Sequence, residues 1–336
     1  MISPKWFLAD EDNSFFDVEL NDFVPDKLFD AHMHLGQRSG YTSDTHNDLV
    51  ANTPEIADMA SYREHLPWIL PGRNVTGANV LPSTISGHDR EKGIEFAAGE
   101  AATDDGSGSS VVVHPAMSAD QLRAEIDQFR PVSLKPYHMM AARADTQQSS
   151  IEEYLPEPLV AVAHEAKLPV VVHLVRDKAL ADEGNQKTIR HYCTTYPDMQ
   201  LVLAHCARGF NPGHTVRGIG AIAGLDNVFF DTSCACESGS MVAILKTFGH
   251  TKMMWGSDFP FCHLHGRCFA IGDFFSWAYD DQLEFGVHAV GDRLGFTFVS
   301  HESIRAIKLA CGACDMSQEQ IEAIFHDNAA QLFARR

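Results

Sequence analysis

Five short stretches share one pattern and constrain the chain more than anything else in it. They are Leu28-Phe-Asp-Ala-His-Met-His34, Val132-Ser-Leu-Lys135, Val170-Val-Val-His173, Leu201-Val-Leu-Ala-His205 and Met253-Met-Trp-Gly-Ser-Asp258. Each is an apolar run that ends on a residue able to bind a metal or move a proton. A continuous apolar run of this length, bounded by polar or turn residues, fits a strand buried on both faces. Strands that deliver His, Lys, His, His and Asp at their C-terminal ends lay out a site on a parallel sheet or barrel. His32 and His34 stand two apart on a strand, so both point to one side and can grip one ion.

Strands and helices alternate along the rest of the chain. Asn74 to Leu81, Val111 to His114 and Asn227 to Asp231 read as further strands. Helices are expected over 89–102, from the capping box at Ser118 and Gln121 to Phe129, and over 157–166, 185–195, 215–223 and 240–248. A further helix is expected around 269–279, within an insertion spanning 259–300 that is rich in Gly and Phe. A last helix opens at a second capping box, Ser317 and Gln320, and carries Ile321, Ile324, Phe325, Leu332 and Phe333 on one face. Residues 1–27 read as an irregular N-terminal arm. Residues 37–70 are polar and weakly periodic; a connection that long is usually functional, so it is read as a lid or substrate wall. The βα repetition predicts an α/β fold of the (β/α)8 barrel type, distorted, as one domain over 1–336. An open doubly wound sheet is the second reading, and no G-x-G-x-x-G follows any strand to support it.

Composition narrows the partners. With 26 basic and 45 acidic residues the net charge is −19, which argues against nucleic acid and anionic membranes. The first residues turn acidic too early for a signal peptide, and no apolar run reaches the roughly 20 residues of a membrane span. The eight cysteines lie in or beside expected helices and strands, which suggests reduced thiols and a cytoplasmic protein. Cys311 and Cys314 form a C-x-x-C without a second pair at zinc-finger spacing. A small-molecule substrate is expected, and a homo-oligomer is compatible with the sequence.

The ordered set Asp30-Ala-His-Met-His34, Leu134-Lys135, Val172-His173, Leu203-Ala-His205, Phe230-Asp-Thr-Ser233, Trp255-Gly-Ser-Asp-Phe-Pro260 and Asn328-Ala-Ala-Gln-Leu-Phe333 resembles the amidohydrolase superfamily, in its amidohydrolase-related branch of metal-dependent hydrolases and decarboxylases. Each mark alone is weak; the chain even carries a second H-x-H, His263-Leu-His265. The resemblance implies His32, His34, His173 and Asp258 as ligands of a divalent metal, Zn2+ foremost, with one ion favoured over two. Neutral imidazoles and a carboxylate suit that ion and leave a position open for water. It implies His205 as a proton shuttle or substrate-orienting group, and Asp258 as a proton acceptor besides its ligand role. Lys135 is either a plain lysine near the site or, in the binuclear case, a carbamate bridging two metals.

Arg176 and Arg208, each three residues past a ligand strand, are candidate clamps for a substrate carboxylate. Tyr137 and His138 are second-rank substrate-binding candidates, as are His263 and His265. The expected activity is hydrolysis of an amide, lactone or related bond in a small, carboxylate-bearing substrate. Non-oxidative decarboxylation of an aromatic or unsaturated acid is the alternative on the same ligands.

Overall fold

A computed structural model describes residues 6–40, 53–83, 89–279 and 296–334. Parts of the expected lid (41–52) and of the Gly- and Phe-rich insertion (280–295) lie outside them. Eight parallel strands follow one another in chain order around the molecule: β1 (Lys27–Gln37), β3 (Asn74–Pro82), β4 (Gly108–Val113), β5 (Ser133–Pro136), β6 (Pro169–Val172), β7 (Gln200–Leu203), β8 (Val228–Asp231) and β9 (Met253–Met254). The two-residue β2 (Ile56–Ala57) adds antiparallel to the end of β1. The last strand returns to the first. Ala31 N donates to Trp255 O at 3.1 Å, Asp258 N to His32 O at 2.7 Å, and His34 N to Phe259 O at 2.7 Å. The sheet is therefore closed as a barrel, with helices outside it, as the sequence pattern predicts.

The floor of the barrel is apolar. Phe29, Ala31, Val171, Val202, Ala204 and Met254 form one buried cluster with Phe333, whose ring stacks on Phe29 at 6.5 Å. The C-terminal residues Asn328–Leu332 thus plug the N-terminal end of the barrel, and the C-terminal end is left for chemistry. One irregularity aims the histidines. The β1–β3 register shifts between Leu28 and Asp30 and again, by a slip in β1, between Asp30 and Met33. Before the slip Phe29 and Ala31 join the inner cluster; after it Met33 and Leu35 join the outer core. The change of parity turns His32 and His34 inward above Ala31, a use of a bulge that recurs beside active sites.

Four readings of the sequence change. The stretch 269–279 is an antiparallel hairpin, β10 (Gly266–Ile271) and β11 (Phe274–Tyr279), and not a helix. Its turn is Gly272-Asp273, with Gly272 at φ 59°, a two-residue connection of the kind glycine permits. The helix Val299–Ala313 follows the insertion and was not expected. The N-terminal arm is not irregular throughout: Asp10–Phe15 is helical and continues as a π-turn to Leu20. The segment read as a lid contains the helix Met59–Ile69, started by Asp58 accepting from Ser61 N. All eight cysteines are free thiols, and no helix among the described residues is long and apolar enough to cross a membrane.

Candidate metal centre

His32, His34 and Asp258 converge at the mouth of the barrel. Their ligand atoms lie within 4.8 Å of one another. The two Nε2 atoms are 3.1 Å apart, and Asp258 Oδ1 is 3.4 Å from that of His34 and 3.7 Å from that of His32. The opposite edge of each ring settles its tautomer. His32 Nδ1 donates to Asp231 Oδ2 at 2.9 Å. His34 bonds the Pro82 carbonyl, with its Nδ1 3.4 Å from Tyr137 Oη. With Nδ1 as the donor, the neutral form of each ring presents its Nε2 as an acceptor.

Burial, then the neighbouring His32, Lys135 and His205, hold the pKa of His34 well below its ordinary value and keep the ring neutral. Two imidazole nitrogens and a carboxylate oxygen thus converge on one point. Such a set is satisfied by a divalent cation, and two imidazoles with one carboxylate suit zinc.

His205 stands next to this group. Its Nδ1 is 3.9 Å from Asp258 Oδ2 and 2.9 Å from both the carbonyl and the hydroxyl of Ser233. Burial lowers its pKa, and the charge of Asp258 works the other way. The backbone at this point is unusual: His205, Cys206, Ala207 and Arg208 all have φ between 55° and 62°. Four consecutive non-glycine residues form one left-handed turn, which costs roughly 1–2 kcal/mol per residue. Residues three apart on such a turn share a side, so His205 and Arg208 leave it together. Asp258, Arg176 and Cys234 also have positive φ, so the strained backbone clusters at the ends of β6 to β9.

The other expected residues are distributed around the pair. His173 stands beyond His205, with ring centroids 4.8 Å apart, and is not in the group of three. Burial and His205 keep its pKa well below the ordinary value. Lys135 is 1% exposed, with Nζ 5.3 Å from the Tyr137 ring centre. Burial pulls its pKa down to about 8 against the pull of Asp231 and Asp258. Tyr137 donates its hydroxyl to Pro82 O at 2.9 Å. His138 lies 5.9 Å from His173, ring to ring, and its Nδ1 bonds Thr146 O at 3.2 Å.

The two arginines differ. Arg176 is paired with Asp182 at 2.8 Å. Arg208 is half-buried, donates to the carbonyl of Arg176 at 2.7 Å and lies 5.2 Å above Phe275. Among the described residues no carboxylate lies within ion-pair distance of Arg208, so its charge remains open to a ligand.

His263 and His265 do not reach the site. His263 Nε2 donates to His65 O at 2.9 Å and the ring stacks on Trp6. His265 is paired with Asp12 at 2.8 Å. That second H-x-H fastens the N-terminal arm.

Two carboxylates were not singled out from sequence. Asp231 is fully buried. Burial works to raise its pKa, but the charge and hydrogen bond of His32, then His205, hold it well below the usual carboxylate range. It orients His32 through Oδ2 and receives the backbone N–H of His205 at 3.0 Å on Oδ1, so one carboxylate positions two site histidines. Asp30 accepts from Ser257 N at 2.8 Å, His32 N at 3.1 Å and Tyr62 Oη at 3.0 Å. It ties β1 to the turn that carries Asp258. The signal available was position, since both stand inside the quoted strand-end motifs.

A family model for amidohydrolases matches residues 30–335. The chain belongs to the amidohydrolase family. Solved structures agree on the fold. A Burkholderia multivorans amidohydrolase with bound zinc matches with a TM-score of 0.58 at 14% identity, over 92% of this chain and 99% of that one. A putative 2-pyrone-4,6-dicarboxylic acid hydrolase from Pseudomonas putida matches with 0.58 at 15% identity, over 93% and 99%. 5-Carboxyvanillate decarboxylase from Sphingomonas paucimobilis matches with 0.52 at 13% identity, over 93% and 100%. At these identities the likeness shows the barrel. No curated protein matches the chain by sequence. The protein is an enzyme of the amidohydrolase superfamily, and the members of this fold include hydrolases and decarboxylases alike.

Proposed function

We propose that this amidohydrolase is a mononuclear, zinc-dependent hydrolase of a small substrate that carries a carboxylate. The observation that carries the reading is the convergence of His32 Nε2, His34 Nε2 and Asp258 Oδ1 beside His205. A bound ion at such a set supplies Lewis acidity and brings a water to a pKa of about 7. His173 completes the set if its ring swings toward the group, and Asp231 and the Pro82 carbonyl hold the two fixed rings in their ligating tautomer. Asp258 Oδ2 and His205 form the proton path: the carboxylate takes a proton from the attacking water, and His205 passes one to the leaving group or orients the carbonyl. The Ser233 hydroxyl and carbonyl fix the His205 ring. Lys135 adds positive charge where an oxyanion develops. Arg208 receives the substrate carboxylate, and Arg176 shapes the wall from which it reaches.

Decarboxylation of an aromatic or unsaturated acid is the second reading. The Phe210 ring, 5.3 Å from that of His205, favours it, because it sets an apolar surface beside the candidate proton donor. Elemental analysis of protein purified without chelator tests the metal: about one zinc per chain is expected, and activity in a demonstrably metal-free sample rejects the mechanism. A panel of lactones, amides and aromatic acids, scored for product acid against released CO2, separates the reactions. Stoichiometric CO2 without a hydrolytic product promotes the second reading.

A further inference from the structure

The β10–β11 hairpin stands over the site side of the barrel and has no part in the chemistry described so far. Its register pairs Gly266 with Tyr279, Cys268 with Trp277 and Ala270 with Phe275. On this face each aromatic residue has a small partner directly across. The opposite face pairs Arg267 with Ala278, Phe269 with Ser276 and Ile271 with Phe274. Side chains two apart on a strand share a face, so Phe275, Trp277 and Tyr279 line up in one row. The small partners let the rings lie over the neighbouring strand; a Cβ on Gly266 would come within 2.6 Å of the Tyr279 ring. The Trp277 and Tyr279 rings are stacked, with planes 4° apart and centroids 5.9 Å apart.

This row turns toward the candidate metal centre. Phe210, whose ring neighbours His205, contacts Phe275 at 5.0 Å and Trp277 at 5.4 Å between ring centroids. Phe275 also lies under the guanidinium of Arg208. All three hairpin rings keep part of their surface open. The hairpin tip is tied to the segment that follows the left-handed turn. Asn211 Nδ2 donates to Gly272 O at 3.1 Å and to Phe274 O at 3.0 Å. Arg217 pairs with Asp273 at 2.6 Å, and His214 Nε2 bonds Asp273 O at 3.0 Å. The row is thus fixed to the same stretch of chain that carries His205 and Arg208.

We infer that the hairpin is the specificity element of this enzyme: Phe275, Trp277 and Tyr279 form an aromatic wall that selects planar, conjugated carboxylates, the ring stacking on the wall while the carboxylate meets Arg208. The inference rests on the proposed function and adds to it the shape of the substrate. A row of aromatic rings gains more from a planar π-system than from a puckered ring of equal charge. Tyr279 ends the row, and burial, then the nearby thiols and Asp258, push its pKa up, so its hydroxyl stays protonated.

The test measures binding of three probes to the zinc-loaded full-length protein: benzoate, cyclohexanecarboxylate and benzamide. Benzoate should bind about tenfold more tightly than cyclohexanecarboxylate, in keeping with one well-placed ring contact. It should also quench the Trp277 emission, isolated by difference from Trp277→Phe. Trp277→Phe should keep the preference, and Trp277→Ala and Phe275→Ala should bring it close to one with zinc content unchanged. Phe274→Ala, on the opposite face, should leave it intact. Equal affinity for the two acids, or a preference that survives Trp277→Ala and Phe275→Ala, overturns the wall and leaves the carboxylate reading standing. Benzamide binding as tightly as benzoate overturns the carboxylate reading, and with it the inference that the site selects carboxylates.

Discussion

At the scale of single residues, the site is a set of hydrogen bonds that decide where protons are absent. Asp231 is the pivot: it fixes the tautomer of His32 and the backbone of His205. Asp231→Asn keeps the volume but can offer a donor to His32 Nδ1, which would move the ring proton to Nε2 and spoil a ligand. Zinc affinity should fall by roughly 10- to 100-fold, the usual worth of a partner behind a metal ligand, as read by competition with a chelating dye. His205→Asn should behave in the opposite way. Zinc should stay bound, and turnover should drop by roughly 10² to 10⁴, as for a positioned acid–base group. Loss of zinc in that variant would make His205 a ligand instead. His32, His34, His205, Lys135 and Asp258 were legible because apolar strands end on them. Asp231 and Asp30 were not. A carboxylate inside a strand-end motif reads the same whether it binds a metal or holds a neighbour, and only its bonds to His32 and Ser257 N tell which.

At the scale of elements, the left-handed turn His205–Arg208 does what no ordinary strand end could. It brings His205 and Arg208, three residues apart and proposed here for proton transfer and carboxylate binding, to one side of the mouth. Little in Leu203-Ala-His-Cys-Ala-Arg208 announces it, since of these residues only His is enriched at positive φ; the turn is held by His205 N donating to Asp231 Oδ1, by Thr215 Oγ1 donating to Cys206 O at 3.1 Å and by burial. Ala207, at φ 62°, offers a test. Ala207→Gly should keep turnover, because glycine accepts this backbone. Ala207→Val should destabilise the protein by about 2 kcal/mol and reduce turnover with it, because a β-branched residue resists this region and the site is filled. Thermal melting and steady-state rates on the two variants check this; a fully active, fully stable valine variant would refute the strain. The hairpin, by contrast, was legible and was misread. The aromatic residues at 275, 277 and 279 alternate with period two, and Gly272-Asp273 is a two-residue turn signal, yet the density of apolar residues over 269–279 suggested a helix.

At the scale of the whole molecule, the barrel could be read from sequence because its strands are apolar on both faces and spaced by helices, a pattern few other folds produce. The way its ends are fastened could not, because it rests on long-range pairs. The second H-x-H shows the cost of that blindness: His263 and His265 share the spelling of the metal motif and serve to hold the N-terminal arm through Trp6 and Asp12. This predicts how the protein responds to acid. Burial lowers the pKa of His263 from its ordinary 6.5 to about 3, against the bond to His65 O, and that of His301 to about 4. A histidine with a depressed folded pKa stays neutral in the folded protein while the unfolded chain takes up a proton. Its contribution is fully present above pH 6.5 and is lost as pH falls toward the folded value. Between about pH 7.5 and about pH 5 one such histidine accounts for about 2 kcal/mol of lost stability. In His263→Gln the amide can still donate to His65 O but does not titrate. Urea unfolding of the metal-loaded protein at the two pH values should therefore show the variant losing about 2 kcal/mol less than the wild type, whatever its stability at neutral pH. Weaker zinc binding at low pH affects both proteins and cancels in the comparison. An identical loss in the two would mean that His263 carries its proton in the folded state, and the arm would then be held by a charge and not by a neutral ring.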